Sequence, residues 1–129
     1  MRRFGVLLLL VLVFSASLPV AAQSWASNLQ TALKSAAKAN KLLLVDFTAD
    51  WCGWCKKLET DVFNKSEFKT YVKTRYQLVR LNADKYKDLV AKYKVTGFPT
   101  ILVLSSKGVE VKRIVGYLKL KDFMKKLKG

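Results

Sequence analysis

The sequence contains no histidine, only two cysteines and only two prolines in 129 residues. A zinc site needs about four ligands, usually thiolate or imidazole, so two thiols without histidine argue against a metal centre within one chain. The sequence also has no glycine-rich phosphate-binding loop, and we therefore expect no bound cofactor. It shows no internal repeat or low-complexity tract, which leaves a single domain as the simplest organisation of the mature chain.

Acidic residues are scarce relative to basic ones. The chain has 24 Lys and Arg against 9 Asp and Glu, a formal charge of +15. Loss of residues 1–22 would remove two of the 24 basic residues and none of the 9 acidic ones, leaving a charge of +13. In the cytosol such a charge would favour binding to nucleic acid, but an exported chain meets anionic surfaces and acidic partners instead. Because the lysines are spread over several segments, we predict a solubilising surface and no nucleic-acid partner.

The apolar runs are short. The most apolar stretch, Phe4–Phe14, covers about eleven residues, whereas a comfortable membrane span needs about 20. Two arginines precede this stretch and small residues follow it up to Ala22, which gives the three regions of a secretory signal. We predict a signal peptide over 1–22, cleaved near Ala22, and an exported, periplasmic domain over 23–129. An uncleaved membrane anchor is the alternative.

The hydrophobic pattern predicts an α/β domain with a helix before the first strand. Residues with helical spacing lie at 25–40, 52–64, 68–72, 86–93 and 120–127. Apolar or β-rich runs of strand length lie at 42–48, 76–83, 101–104 and 109–115. The last two runs flank a turn with Gly108 and favour a hairpin. The order α-β-α-α-β-α-β-β-α predicts a central mixed sheet flanked by helices.

Both cysteines lie in Trp51-Cys52-Gly53-Trp54-Cys55, where a strand pattern gives way to a helix pattern. Their spacing alone leaves open a reversible disulfide, part of a metal site, or buried packing. A bridge across so short a loop removes little chain entropy, so a purely structural disulfide is a poor fit. An apolar strand before the pair and a helix after it favour redox use. The helix amino end would stabilise a Cys52 thiolate and lower its pKa.

These residues resemble the thioredoxin superfamily over essentially the whole mature chain. Four segments carry the resemblance: Val45–Lys56, Arg80–Asp84, Gly97–Thr100 and Val115–Gly116. The residues that follow Cys55 are similar to the exported thioredoxin-like branch, which includes a periplasmic domain that receives electrons from a membrane transporter. The resemblance implies a thioredoxin fold.

Asp46 interrupts the first strand's apolar run, where a carboxylate is costly unless it is paired or neutral. The resemblance implies that Asp46 is a buried acid that accepts a proton from Cys55 during exchange. Burial would raise its pKa toward neutrality. The alternative for Asp46 is an exposed or salt-bridged carboxylate at a sheet edge. Arg80 falls where the family often has a basic residue near this acid, and an outward-facing arginine is its alternative.

The resemblance also implies a substrate-binding surface around Cys52, made of Trp51, Gly53, Trp54, Phe98 and Pro99. Pro99 is expected to follow a cis peptide bond beside the cysteine pair, and such a bond is costly except before proline. The backbone just before Pro99 could pair with an extended substrate segment. For the two tryptophans the alternative is ordinary half-buried packing. We assign Trp25, on the predicted first helix, to packing.

Two departures from the family pattern stand out. The family's common Gly-Pro between the cysteines is Gly53-Trp54 here, which leaves the redox potential open between about −270 mV for a reductant and about −120 mV for a strong oxidant. The common proline midway along the active-site helix is replaced by Thr60, so we expect a straighter helix.

The sequence therefore predicts an exported thiol–disulfide oxidoreductase that reduces protein disulfides through a mixed disulfide with Cys52. We expect a monomer whose redox centre is the Cys52–Cys55 disulfide. A reductase in an oxidising compartment needs an electron source, and a membrane donor is the expected partner. Two alternatives remain: a disulfide oxidase or isomerase, and a non-catalytic binding module in which the cysteines are incidental.

Overall fold

The computed structural model describes residues 23–129, together with Ser15 and Ala16. The predicted signal peptide over 1–22 lies, except for those two residues, outside the described residues. Its cleavage near Ala22 and the division into 1–22 and 23–129 remain predictions. In the described part of the chain, no helix combines the length and the apolar character needed to cross a membrane.

The described residues form helices and strands in the predicted order. The helices are α1 (Leu29–Ala39), α2 (Gly53–Leu58), which continues as a π-helical turn (Glu59–Phe63), α3 (Ser66–Lys73), α4 (Lys87–Lys92) and α5 (Leu120–Lys128). The strands are β1 (Leu42–Thr48), β2 (Tyr76–Asn82), β3 (Thr100–Leu104) and β4 (Glu110–Val115).

The four strands form one mixed sheet in the order β2-β1-β3-β4. β1 runs parallel to β2 and antiparallel to β3, and β3 pairs antiparallel with β4. The central position of β1 explains its nearly unbroken apolar sequence, because both of its faces are covered by helices. The mixed sheet, the flanking helices and the helix before the first strand confirm the predicted architecture.

Alternation along β1 divides the core into two halves. Leu43, Val45 and Phe47 pack on one face with residues of α1. Leu44 packs on the opposite face with residues of α2, α3 and α5. Because successive side chains of a strand point to opposite faces, Asp46 lies on the same face as Leu44 and the cysteine-bearing helix.

The first helix begins later than its hydrophobic pattern predicts. Asn28 caps α1 by accepting a hydrogen bond from the Thr31 backbone N–H at 3.0 Å. The residues before the cap are not helical, and Ala26 forms two backbone hydrogen bonds with the outer edge of β2. The prediction that Trp25 lies on this helix is therefore wrong. Its assignment to packing is right, since its ring lies 5.0 Å from that of Phe63.

The active-site helix is not the straighter helix expected from the missing proline. Its second half winds as a π-helical turn over Glu59–Phe63, and the Asn64 N–H donates to the Glu59 carbonyl at 2.9 Å. The Thr60 hydroxyl donates to the Lys56 carbonyl at 3.1 Å. A threonine hydroxyl that bonds to the preceding turn bends helices, so Thr60 favours an irregular turn here without a proline.

Gly108 occupies the turn of the β3–β4 hairpin with φ +79°, a conformation that favours glycine. A Cβ at this position would lie 3.4 Å from the Tyr93 hydroxyl oxygen. We expect Gly108→Ala to lower the free energy of unfolding by about 1–2 kcal/mol, measured by urea denaturation. Lys107→Ala, at an exposed site in the same turn, should change it by less than about 0.5 kcal/mol. Equal stability of both variants would contradict the prediction.

Candidate redox site

Cys52 and Cys55 lie where β1 ends and α2 begins. They are bonded to each other, with Cα atoms 5.3 Å apart, which confirms the predicted pairing. Cys52 is the N-cap of α2, and its Sγ accepts a hydrogen bond from the Cys55 N–H at 3.1 Å. Because helix amino ends favour negative charge, this position stabilises a Cys52 thiolate once the disulfide is opened. The two cysteines are only 5% and 6% exposed.

Asp46 is buried in the central strand, only 3% exposed. Arg80 lies opposite it in the β1–β2 register, and its Nε donates to Asp46 Oδ2 at 3.0 Å. Burial raises the pKa of Asp46 from 3.8 to about 6, and the charge of Arg80 limits this rise. The alternative of an exposed carboxylate at a sheet edge is wrong, because β1 is an inner strand and Asp46 is buried. The salt bridge that this alternative proposed is nevertheless present, with Arg80.

Arg80 is held between the buried acid and the active-site helix. Its Nη1 donates to Glu59 Oε1 at 3.2 Å, and its guanidinium lies 4.4 Å from the centre of the Trp25 ring. The alternative of an outward-facing arginine is therefore wrong. Sequence reasoning missed Glu59. The available signal was its spacing, because it lies one helical turn after Cys55 and on the same side of the helix.

Two buried polar atoms of this network have no hydrogen-bond partner within the described residues: Asp46 Oδ1 and Arg80 Nη2. The free Oδ1 leaves one lone-pair face of the carboxylate available to accept a proton. Asp46 and Cys55 both lie on the α2 side of the sheet, because Asp46 shares a face of β1 with Leu44 and Leu44 packs against Leu58 of this helix.

Trp51 stands on the protein surface beside the disulfide. Its side chain is 68% exposed, and the indole Nε1 donates to Asp84 Oδ2 at 3.0 Å. Its ring meets the Phe98 ring edge-on, with 5.9 Å between centroids. Phe98 in turn packs on the buried cluster that contains Cys52 and Cys55. These contacts hold a large apolar side chain at the surface next to the redox pair. The exposure of Trp51 does not fit the alternative of ordinary half-buried packing.

Trp54 forms a second exposed apolar surface, in contact with a different aromatic residue from Trp51. It is 59% exposed, and its ring centroid lies 5.4 Å from that of Tyr117. Gly53 lies between the cysteine cap and Trp54, and a Cβ at Gly53 would meet no atom within 4 Å. The space above the first turn of α2 is therefore open. Exposed apolar surface of this kind marks interaction sites.

The Phe98–Pro99 peptide bond is cis, as the resemblance implied. The Thr100 hydroxyl donates to the Gly97 carbonyl at 2.7 Å, and the Gly116 N–H donates to the Pro99 carbonyl at 2.8 Å. β3 begins directly after this loop and pairs with the end of β1 that leads into the cysteines. The structure thus brings the loop before β3 to the redox pair through Phe98.

Within residues 23–129 no group of three acidic, thiol or imidazole side chains is placed to hold a metal ion. The only groups in the site with redox chemistry are the two bonded sulfur atoms.

A family model described as a thioredoxin-like domain matches residues 29–129. Thioredoxin from Echinococcus granulosus is 39% identical over 87 residues, which cover 66% of this chain and 75% of that protein. Disulfide bond reductase DsbH from Chlamydia pneumoniae is 30% identical over 110 residues, which cover 74% of this chain and 66% of that protein.

Coverage of the relatives varies widely. Protein disulfide isomerase-like 5-3 from Oryza sativa subsp. japonica is 42% identical over 69 residues, but these cover 54% of this chain and only 16% of that protein. Among solved structures, a DsbH oxidoreductase superposes with a TM-score of 0.70 at 27% identity, and the match covers 84% of each chain.

Proposed function

Because this chain belongs to the thioredoxin-like family and is a thiol–disulfide oxidoreductase, we propose that it reduces disulfides of protein substrates outside the cytoplasm. The observation that carries this proposal is the Cys52–Cys55 disulfide at the start of α2, next to exposed Trp51 and Trp54 and on the same side of the sheet as buried Asp46. A relative named as a disulfide bond reductase, 30% identical over 110 residues, supports the reducing direction.

The first step begins with both cysteines reduced. The Cys52 thiolate attacks one sulfur of the substrate disulfide, forming a bond between Cys52 and the substrate while the substrate's own S–S bond breaks. The second substrate sulfur leaves as a thiolate and takes up a proton. Cys52 suits this attack because the amino end of α2 and the Cys55 N–H stabilise its negative charge.

The second step releases the substrate. Cys55 loses its proton and attacks Cys52, which re-forms the disulfide seen in this structure and expels the other substrate sulfur as a thiol. Two electrons and two protons pass to the substrate in total. We assign Asp46 as the base that accepts the Cys55 proton, because its pKa of about 6 keeps it largely ionised at pH 7 yet able to accept a proton.

Substrate binding is assigned to the exposed surface around Cys52. Trp51, Trp54 and Phe98 offer apolar contact near the disulfide, and Gly53 leaves the approach open. The backbone just before Pro99 offers hydrogen bonds to an extended substrate segment in the manner of an added strand.

Export is proposed from the three-part pattern of residues 1–22, with 23–129 as the mature domain. An exported thiol pair faces an oxidising compartment, so the oxidised protein must receive two electrons before each turnover. A membrane-bound donor of thiol electrons is the partner class that fits, and we propose that the protein works as a monomer with it.

The redox midpoint of residues 23–129 tests the reducing direction. The protein is equilibrated in thiol buffers of known potential, and the reduced fraction is scored by alkylation of Cys52 and Cys55. We expect a midpoint of about −250 mV or lower. A midpoint above about −180 mV would favour the oxidase or isomerase. The absence of a reversible couple would favour the non-catalytic binding module. The control is a variant with both cysteines changed to serine, which gives the baseline of the alkylation assay.

A further inference from the structure

An open groove of about 500 Å³ adjoins the redox pair on the Trp54 side. Its apolar floor consists of Trp54, Tyr117 and Leu120, which come from α2, the loop before α5, and the start of α5. Trp54 directly precedes Cys55 in the chain. We call this open groove the Trp54–Tyr117 groove. When a substrate presents its disulfide to Cys52, the substrate residues close to that disulfide can therefore contact this groove.

Among the described residues that line the Trp54–Tyr117 groove, the only acidic one, Asp61, is already paired with a lysine. The Tyr117 hydroxyl donates to Asp61 Oδ2 at 2.6 Å, and the Lys57 ammonium lies 3.0 Å from the same oxygen. The hydrogen bond from Tyr117 and then that from Lys57 lower the pKa of Asp61, so it remains ionised at neutral pH and paired. These bonds also fix the Tyr117 ring beside Trp54.

Two further lysines of the groove have no such partner. Lys65 and Lys119 both line it, both are exposed, and neither forms an ion pair within the described part of the chain. The groove thus combines aromatic surface with two ammonium groups that form no ion pair within the described residues. This combination complements a carboxylate attached to a flexible side chain, because the charge pairs with ammonium while the methylenes cover the rings.

We propose that the Trp54–Tyr117 groove selects substrates that carry an aspartate or glutamate close to the reactive cysteine in an extended segment. The inference rests on the proposed reductase function and names its substrate class. An exposed ion pair increases an affinity by a factor of about 1.5 to 5. Two such pairs in the groove should favour an acidic segment by about fivefold in rate constant at low salt.

The test uses two matched peptides. Each has one cysteine joined to 2-mercaptoethanol as a mixed disulfide, and three glutamates on each side of that cysteine in one peptide are glutamines in the other. Reduced full-length protein is mixed with each peptide in single turnover, and oxidation of the protein is followed by tryptophan fluorescence and by alkylation. We expect the glutamate peptide to react about fivefold faster at low salt, with the advantage falling below about twofold in 1 M NaCl.

The variant Lys65→Gln/Lys119→Gln separates the groove from the overall positive charge. We expect its ratio of glutamate to glutamine rate constants to fall to about 2 or less. The matched control is Lys34→Gln/Lys38→Gln, which removes two exposed lysines of α1 on the opposite side of the sheet. The control should retain the wild-type ratio.

Three outcomes would overturn the proposal. The peptides could react equally in the wild type, or the α1 variant could lose the preference as fully as the groove variant. Vesicles with 30% phosphatidylglycerol, rather than the acidic peptide, could also shift the tryptophan fluorescence of the wild type but not of the Lys65→Gln/Lys119→Gln variant. The last result would assign the groove to a membrane surface. Failure of the reductase function is distinguishable, because neither peptide would then be reduced at all.

Discussion

Cys55→Ser should accumulate a stable mixed disulfide between Cys52 and a protein substrate. The first step needs only Cys52, whose position at the cap of α2 is unchanged by the substitution. The second step needs the Cys55 sulfur, and a serine hydroxyl cannot displace the substrate from Cys52. Reduction in steady state should fall by at least about a thousandfold.

The trapped species is measured on non-reducing gels and by intact mass, after mixing the reduced variant with an oxidised protein substrate. Cys52→Ser is the control, because it lacks the attacking sulfur and should form no adduct while losing a similar amount of activity. The reason for this asymmetry is the position of Cys52 at the cap of α2, where the helix amino end and the Cys55 N–H stabilise its thiolate. An adduct that forms through Cys55 in the Cys52→Ser variant, at the rate of the Cys55→Ser variant, would contradict the assignment of roles.

Asp46→Asn should stabilise the oxidised protein by about 3 kcal/mol at pH 7. Burial raises the pKa of Asp46 from 3.8 to about 6, and a difference of one pKa unit corresponds to about 1.4 kcal/mol. The folded state therefore binds the proton more tightly than the unfolded state, and wild-type stability falls as pH rises from about 4 to about 6. The asparagine does not ionise, and Arg80 keeps its contacts with Glu59 and Trp25.

The measurement is urea unfolding of the oxidised wild type and variant between pH 3.5 and 8. The gain should be absent at the lowest pH, where the wild-type acid is protonated in both states, and fully developed above pH 6. Glu59→Gln, at a partly exposed carboxylate bound to the same arginine, is the matched control and should give no gain of this size. A variant less stable than the wild type at pH 7 would show that the Arg80 salt bridge outweighs the cost of burial.

The same Asp46→Asn variant should reduce substrates more slowly. A positioned acid or base contributes about a hundredfold or more to a proton transfer, so release of the mixed disulfide should slow by at least about tenfold at pH 7. Stability and rate then move in opposite directions. That combination distinguishes a functional carboxylate from a structural one, whose removal would lower the stability.

Much of the fold could be predicted because local patterns record which side of each segment is buried. The apolar run at 42–48 has the same bounds as β1. A strand that is covered on both faces is apolar along nearly its whole length, so its ends are visible in the sequence. The hairpin around Gly108 followed from turn chemistry, which involves only neighbouring residues. The predicted start of the first helix is too early in the sequence, because Trp25 fits the apolar stripe of the helix. In the structure Ala26 pairs instead with β2, a strand about fifty residues away in sequence.

The residues of the candidate site divide in the same way. The sequence by itself determined the cysteine pair, its place between a strand and a helix, and the anomalous Asp46, because each depends on residue type within a short segment. Only the tertiary structure decided that Arg80 faces Asp46, that Glu59 binds the same arginine, and that Tyr117 lies beside Trp54. The physical reason is that strand register and helix winding bring these side chains together from distant segments, and no local pattern encodes such a distance.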